Sequence, residues 1–267
     1  MKRGKGKGDE PGVWLDLAKR AARKAGLIQA EHLGHLKGYK LKGVANIVTE
    51  VDLRCEAAVL GLIREEAPEH HRILSEEQGG DSLQSEYIWV VDPLDGTTNY
   101  AHCYQKFCVS IALVSKGRPL LGVILDPMTN EMFYAVRGQG AFLNGKRIRV
   151  SDVSKINDSL LATGFAYDRG KRLSENMVLL EKIITHPHAT RVDGSAALDL
   201  CYVADGRVDG FWERNLSAWD VAAGTLIVEE AGGKVSDFSG NILALDKQEL
   251  LATNGKIHEE FLIIINK

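Results

Sequence analysis

The sequence has no surplus of positive charge, no long apolar run and no closely paired cysteines. Its 267 residues carry 33 basic and 36 acidic side chains, a formal net charge of -3. That leaves no global basic footprint for nucleic acid, so nucleic acid is not an expected partner, although a local patch stays open. No stretch approaches the roughly 20 apolar residues that span a bilayer, and Phe261 to Ile265 reads as a short buried segment. The four cysteines, Cys55, Cys103, Cys108 and Cys201, form no CxxC pair. A reduced, cytoplasmic protein is expected, with Cys108 in the core of an apolar strand. His70 with His71, and His186 with His188, lack both the i, i+4 spacing and the cysteine partners of a zinc site. Gly138-Gln139-Gly140 and Gly232-Gly233 match neither a Rossmann nor a Walker loop and read as turns. There is no internal repeat. Residues 1–10, MKRGKGKGDE, lack the apolar core of a signal peptide. They read as a disordered tail, or as an electrostatic tether to an anionic partner.

What is present is ordinary globular composition, with 45% hydrophobic and 26% charged residues, enough for one large domain or two modest ones. Val13, Leu17, Ala21, Ala25 and Ile28 fall on one helical face. Glycines at 38 and 43 break that period, which predicts a loop or short hairpin before a second helix near Asp52. Asp52 is placed to cap this helix; its face is Cys55, Val59, Leu62 and Ile63, and Pro68 ends it. Strands are predicted at His71–Ser75, Tyr87–Val91, Phe107–Ser115, Leu120–Asp126, Glu131–Val136 and Ala141–Leu143. Tight turns between the later ones imply antiparallel hairpins, with AsnGly at 144 and 145 signalling type I′. From about residue 152 strands and helices alternate: strands at Leu160–Thr163 and Val208–Trp212, helices at Arg172–Ile184, Gly194–Val203 and Ala218–Ala231. This places a soft boundary near 150, giving parts 11–150 and 151–267.

The chemistry concentrates in WVVDPLDGTTNY, residues 89 to 100. Asp92 and Asp95 read either as turn formers or as carboxylates at the buried end of an apolar strand. Buried paired carboxylates are costly without a cation. The GlyThrThrAsn after them offers backbone N–H groups and hydroxyls suited to a phosphate. Hard oxygen donors select Mg2+, Mn2+ or Ca2+ over zinc, and two carboxylates beside a phosphate cradle fit Mg2+. SerGluGluGlnGlyGly at 75 to 80 is either a solvated acidic turn or a further acidic contribution. Asp220, in TrpAspValAlaAlaGly at 219 to 224, is either an aspartate favoured by a helix dipole or a third ligand.

Strand-DPLDGTTN, EEQGG and WDVAAG with EAGG behind it, in this spacing, resemble the inositol monophosphatase family from about Leu15 to Asn254. That family belongs to a superfamily of lithium-sensitive, Mg2+-dependent phosphatases. The resemblance implies a mixed α/β, layered αβαβα sugar-phosphatase fold, a homodimer, and two to three Mg2+ per site. By position it implies metal ligands at Glu76, Asp92, the carbonyl of Leu94, Asp95 and Asp220. Glu76 is chosen over Glu77 because the family uses the first acid of the pair. Thr97 matches a water-positioning threonine, Asp52 the aspartate bonded to it, and Lys42 a lysine near the water and phosphate, with Lys40 as its competitor. Gly194, Ser195, Ala196 and Glu213 match the segments that contact polyol hydroxyls, with Asp220 and Glu213 on one wall and Asp95 serving both metal and substrate. Backbone N–H groups of Gly96 and Thr97 are expected to hold phosphoryl oxygens.

The implied activity is hydrolysis of myo-inositol monophosphate by metal-activated water, without a phosphoenzyme. Relatives act on fructose 1,6-bisphosphate, histidinol phosphate or 3′-phosphoadenosine 5′-phosphate, so a broader sugar phosphatase is the nearest alternative. Some bacterial members also bind the transcription machinery in antitermination, which makes RNA polymerase an alternative partner. The sequence departs from the family's frequent glycine, proline and apolar residue after TTNYAH, where CysTyrGlnLys stands at 103 to 106.

Overall fold

A computed structural model describes residues 11–42, 47–165 and 171–267. The expected tail at 1–10, and Gly43 with the rest of 43–46, lie outside the described residues. The two early amphipathic stretches form α1 (Pro11–His32) and α2 (Glu50–Glu66). Between them β1 (Tyr39–Leu41) pairs antiparallel with β2 (Ile47–Thr49). Asp52 is not the cap of α2. Thr49 holds that position: its hydroxyl accepts from Val51 N at 3.1 Å, while Asp52 Oδ2 accepts from Thr49 N at 2.8 Å. This is a capping box, in which the third helical residue reaches back to the cap. Ala67, before Pro68, is extended at ψ 152°, which ends the helix.

The first large sheet contains β3 (Arg72–Ser75), β4 (Gly79–Gly80), β5 (Ile88–Asp95), β6 (Cys108–Ser115), β7 (Arg118–Asp126), β8 (Glu131–Val136), β9 (Gly140–Leu143) and β10 (Lys146–Arg147). Its order is β10-β9-β8-β7-β6-β5-β3-β4, antiparallel except for the β3–β5 pair. Asn144 at φ 49° and Gly145 at φ 85° make the predicted type I′ turn. After β5 comes the short α3 (Thr97–Ala101). The second sheet, of order β12-β11-β13-β15-β14, joins β11 (Leu160–Thr163), β12 (Ala189–Arg191), β13 (Gly210–Arg214), β14 (Lys234–Ser236) and β15 (Glu249–Thr253). The remaining helices are α4 (Lys171–Ile184), α5 (Ala196–Ala204), α6 (Ala218–Glu230) and α7 (His258–Asn266).

The layering is set by which faces are apolar. Along β5, Trp89 and Val91 join a core with α1 and α2, while Ile88 and Val90 join a second core with α5 and α6. A strand apolar at both parities must be covered on both faces. Ala162, Phe211 and Ala252 of the smaller sheet face the same α5–α6 layer. Leu161, Trp212 and Leu251 face outward, onto Leu179 and Ile183 of α4 and Phe261 and Ile264 of α7. The result is the expected mixed α/β architecture in αβαβα layers. The large sheet ends at Arg147 and the smaller begins at Leu160, with α5 and α6 forming the shared layer between them.

Several boundaries differ from the sequence expectation. Gly194, at φ 78°, stays outside α5, and Ser195 caps that helix, so it starts at Ala196. β13 starts at Gly210 rather than Val208. Phe261–Ile265 is part of α7 rather than an isolated buried segment. β5 runs four residues past Val91, to Asp95. No helix among the described residues is long and apolar enough to cross a membrane.

The middle helices approach the large sheet closely. A Cβ on Gly122 of β7 would come within 2.8 Å of Ala223 Cα in α6, and one on Gly224 within 2.6 Å of Leu200 Cδ1 in α5. Glycine at 122 and at 224 is therefore a steric requirement. Gly122→Val is expected to destabilise the fold by about 1–3 kcal/mol through overpacking, read as a lower midpoint in urea unfolding. An unchanged midpoint would show that α6 can lift off the sheet freely.

Candidate active site

Asp92 and Asp95 are three residues apart, so in a regular strand they would point to opposite faces. The ladder is irregular here: Asp92 pairs with Ser110 and Asp95 with Cys108, three steps on β5 against two on β6. This is a β-bulge, which inserts one extra residue and re-aims the side chains beyond it. Pro93, which has no N–H to give a ladder, occupies it. The bulge turns both carboxylates to one side, where they meet Asp220. One ligand oxygen from each of Asp92, Asp95 and Asp220 lies within 4.8 Å of the others.

Each carboxylate is held through its backbone surroundings. Asp92 Oδ1 accepts from Leu94 N at 3.0 Å. Asp95 Oδ2 accepts from Ser195 Oγ, from Ala197 N at 3.0 Å and from Cys108 Sγ at 3.7 Å. Asp220 is the third residue of α6, and its Oδ2 accepts from Ser217 N at 2.6 Å. Thr97, buried, donates its hydroxyl toward Asp52 Oδ1 at 2.9 Å and Leu94 O at 3.0 Å.

The acidic turn after β3 approaches from the other side. Lys42 Nζ lies 3.1 Å from Glu76 Oε1 and also bonds the Glu77 carboxylate. Lys40 is exposed on β1, and neither ion pair involves it. Glu76 lies outside the three-carboxylate cluster, yet its charge raises the pKa of both Asp92 and Asp220. Burial holds Asp92 well above the carboxylate range, reinforced by Glu76, Asp95 and Asp220. Burial, then Asp95, pushes Asp220 up to about 8. Burial pushes Glu76 up to about 7, although Lys42 pulls it down. Asp95 and Asp52 are also raised by burial, against the hydrogen bonds they accept.

These residues fit a divalent cation. Three buried or half-buried carboxylates share one corner, and among the described residues no lysine or arginine bonds any of them. Their donors are all hard oxygen, the set that takes Mg2+, Mn2+ or Ca2+. Asp92, Asp95 and Asp220 could hold a first ion, and Glu76 with the Leu94 carbonyl could extend the site.

The cluster forms one wall of a cleft of about 580 Å³, also lined by Gly96, Thr97, Gly194, Ala196 and Glu213. Gly96 caps α3 at φ 89°, and a Cβ there would lie 2.7 Å from Lys106 O. The first bond within that turn is Tyr100 N to Gly96 O at 3.0 Å, which leaves the earlier N–H groups at the cleft. Glu213, raised well above its ordinary range by burial and then by Asp220 and Asp95, lines the same cleft. Its carboxylate fills the space over Gly164, where a Cβ would come within 2.2 Å of Glu213 Oε2. Ser195 is set differently from its neighbours. Its side chain is buried on Asp95 and is not part of the cleft wall.

Sequence reasoning missed three supporting residues. Gln29 Nε2 donates to Pro93 O at 2.8 Å, capturing a carbonyl of the bulge. Glu56 Oε1 accepts from Glu77 N and Gln78 N, both at 3.1 Å, and so holds the acidic turn. Asn99 Nδ2 donates to Lys106 O and Asp193 O, both at 2.7 Å. For the first two a signal existed. Gln29 lies beyond Ala22 and Ala25 on the apolar face of α1, and Glu56 lies among Asp52, Val59, Leu60 and Ile63 on the buried face of α2. A polar residue on a buried helical face needs a partner.

A family model described as the inositol monophosphatase family matches residues 11–266. An inositol-1-monophosphatase of Synechocystis sp. is 44% identical over 250 residues, spanning 93% of this chain and 87% of its own length. A Nus factor SuhB of Pasteurella multocida is 43% identical over 257 residues, spanning 93% of this chain and 94% of its own. The solved inositol monophosphatase of Anabaena (Nostoc) sp. superposes with a TM-score of 0.87 at 44% identity, over 96% of each chain.

The raised carboxyls carry a pH signature. Unfolded, such groups titrate near pH 4; folded, Glu76 titrates at about 7 and Asp220 at about 8. Between those limits the folded chain binds more protons than the unfolded one, so stability falls as pH rises. Metal-free protein is expected to show a lower Tm at about pH 8.5 than at about pH 6. Millimolar Mg2+ should remove most of that fall, because the cation binds only the folded cluster. A flat metal-free profile would mean that the carboxylates do not crowd together in solution.

Proposed function

Because this chain belongs to the inositol monophosphatase family, we propose that it hydrolyses myo-inositol monophosphate to inositol and phosphate with Mg2+ as cofactor. The observation that supports this most is the buried cluster of Asp92, Asp95 and Asp220 beside the start of α3. Asp92, the Leu94 carbonyl, Asp95, Asp220 and Glu76 would hold two to three Mg2+. Bound there, Mg2+ supplies positive charge that acidifies water and offsets charge on the phosphoryl group and the leaving oxygen.

The chain's own residues do the rest. Thr97 has its only hydroxyl hydrogen committed toward Asp52 or Leu94 O. Its oxygen can therefore only accept, and it orients a water by taking one of that water's hydrogen bonds. Glu76 takes the water's proton. The water oxygen bonds phosphorus in line as the ester P–O bond breaks, and the alkoxide leaves on the opposite side, taking a proton from solvent to become the alcohol. Backbone N–H groups of Gly96 and Thr97 meet the phosphoryl oxygens. Lys42, shared between Glu76 and Glu77, keeps positive charge on that side of the cleft. Glu213 and the backbone of Gly194 to Ala196 meet the polyol hydroxyls. Ser195 serves this wall by holding Asp95.

A homodimer in the cytoplasm completes the reading, with subdomain 11–150 contributing the metal loop and subdomain 151–267 the substrate wall and Asp220. A broader sugar phosphatase, acting also on fructose 1,6-bisphosphate, is the alternative within the same chemistry. Similarity to the Pasteurella multocida Nus factor SuhB favours a second role, association with RNA polymerase. Pull-down of RNA polymerase by a folded Asp95→Asn variant tests that role apart from catalysis.

Inositol 1-phosphate should be turned over with Mg2+ and not in chelator; turnover in chelator would sink the reading. Asp95→Asn should lower kcat/KM by roughly 10²–10⁴, the loss of several kcal/mol of charge stabilisation. Millimolar lithium should inhibit. Ranking kcat/KM for inositol 1-phosphate against fructose 1,6-bisphosphate separates the two substrate readings.

A further inference from the structure

We propose that Asn99 is a positioning residue that sets the spacing between the phosphate-binding turn and the polyol-binding segment, and thereby the preference for polyol esters. The inference deepens the function proposed above and rests on it. Asn99 is the third residue of α3, one turn past Asp95. Its side-chain nitrogen donates both hydrogens, to Lys106 O and to Asp193 O, each at 2.7 Å. Its own carbonyl accepts from Tyr104 N at 2.8 Å. One residue thus joins the turn at 96–99, the loop at 104–106 and the segment entering α5.

The segment at 193–197 hangs from two points. At its inner end Ser195 Oγ and Ala197 N bond Asp95 Oδ2. At its outer end Asp193 is held by Asn99 alone among these contacts, and Gly194 lies flat on the amide. A Cβ on Gly194 would sit 3.1 Å from Asn99 Nδ2, and its φ of 78° already excludes most side chains. Asp193, Gly194 and Ala196 all line the cleft. Removing Asn99 leaves the Asp95 anchor in place, and with it the carboxylate cluster. It frees the outer end, which faces the alcohol part of the ester. No other side chain of this size offers two hydrogens from one atom: aspartate offers none and serine one.

The test compares wild type with Asn99→Ala, Asn99→Asp and Gly194→Ala. The readouts are KM and kcat for inositol 1-phosphate and the inhibition constant of inorganic phosphate, with folding checked by circular dichroism. Loss of a half-buried amide that makes two hydrogen bonds is expected to raise KM about tenfold. The phosphate constant should stay within about twofold, because the turn at 96–97 keeps its own supports. Gly194→Ala, which keeps every hydrogen-bonding group but sets a Cβ against the amide and strains the backbone at φ 78°, should shift KM in the same selective way. It also carries the test if the Asn99 variants fail to fold. A phosphate constant that rises in parallel with KM, or a KM unchanged in the folded variants, overturns the proposal. Absence of wild-type turnover would count against the proposed function instead, before any variant is compared.

Discussion

Mutual repulsion among buried carboxylates is the constraint around which this molecule is arranged. Two unit charges about 4 Å apart repel by about 4 kcal/mol at an effective dielectric of 20. Asp92, Asp95 and Asp220 lie within such reach of one another, and Glu76 adds to their field. A flexible chain would relieve this by moving the side chains apart. Here the backbone forbids it, because each carboxylate already answers to a fixed N–H donor: Leu94 for Asp92, Ala197 for Asp95 and Ser217 for Asp220. Burial first, and then this repulsion at Asp92 and Asp220, raises their pKa values, and without a cation only protons relieve either. The same pre-set crowding makes the corner a strong site for a divalent ion.

One device appears twice in building it. Asp52 and Asp220 each stand at the third position of a helix and reach back to a Thr or Ser cap. A carboxylate has two oxygens, and a capping box needs only one. The other is left over in a fixed direction. In Asp52 it receives Thr97, and Asp220 also offers an oxygen to the cluster. Helix initiation and site construction therefore use the same residues, which places both groups without loop flexibility. The bulge at Pro93 is the complementary device on the sheet side. It alters parity once, and Gln29 of α1 satisfies a carbonyl it leaves behind.

The local parts of this design were legible in the sequence. DPLDGTTN announced a strand running into a turn with acids and free N–H groups, and WDVAAG announced an acid at the head of a small-residue helix. The five-layer fold could be inferred from those motifs together with the resemblance they carry. The three-residue strands Ala189–Arg191 and Lys234–Ser236 were not read, because so short a run has no measurable period. The sequence reading gave the capping position to Asp52, a residue type that caps helices well. Only the observed bonds show that threonine caps and aspartate reciprocates. Asn99 was read as part of a motif without a task of its own, since its partners Lys106 and Asp193 lie on segments that only the fold brings together.

The position of Ser195 shows why matching a motif is not the same as reading a contact. Its backbone belongs to the segment assigned to polyol binding, but its hydroxyl is turned inward to Asp95 Oδ2, which Ala197 N also bonds. With that oxygen so engaged, Oδ1 is the atom of Asp95 best placed for a cation. The start of α5, which packs against the second sheet, therefore fixes the orientation of an acid on the first sheet. A movement of α5 itself would carry Ser195 and Ala197 with it and so rotate a carboxylate of the cluster, whereas the outer end at Asp193 answers to Asn99. The middle helical layer, pressed on the large sheet at Gly122 and on itself at Gly224, is what resists that movement.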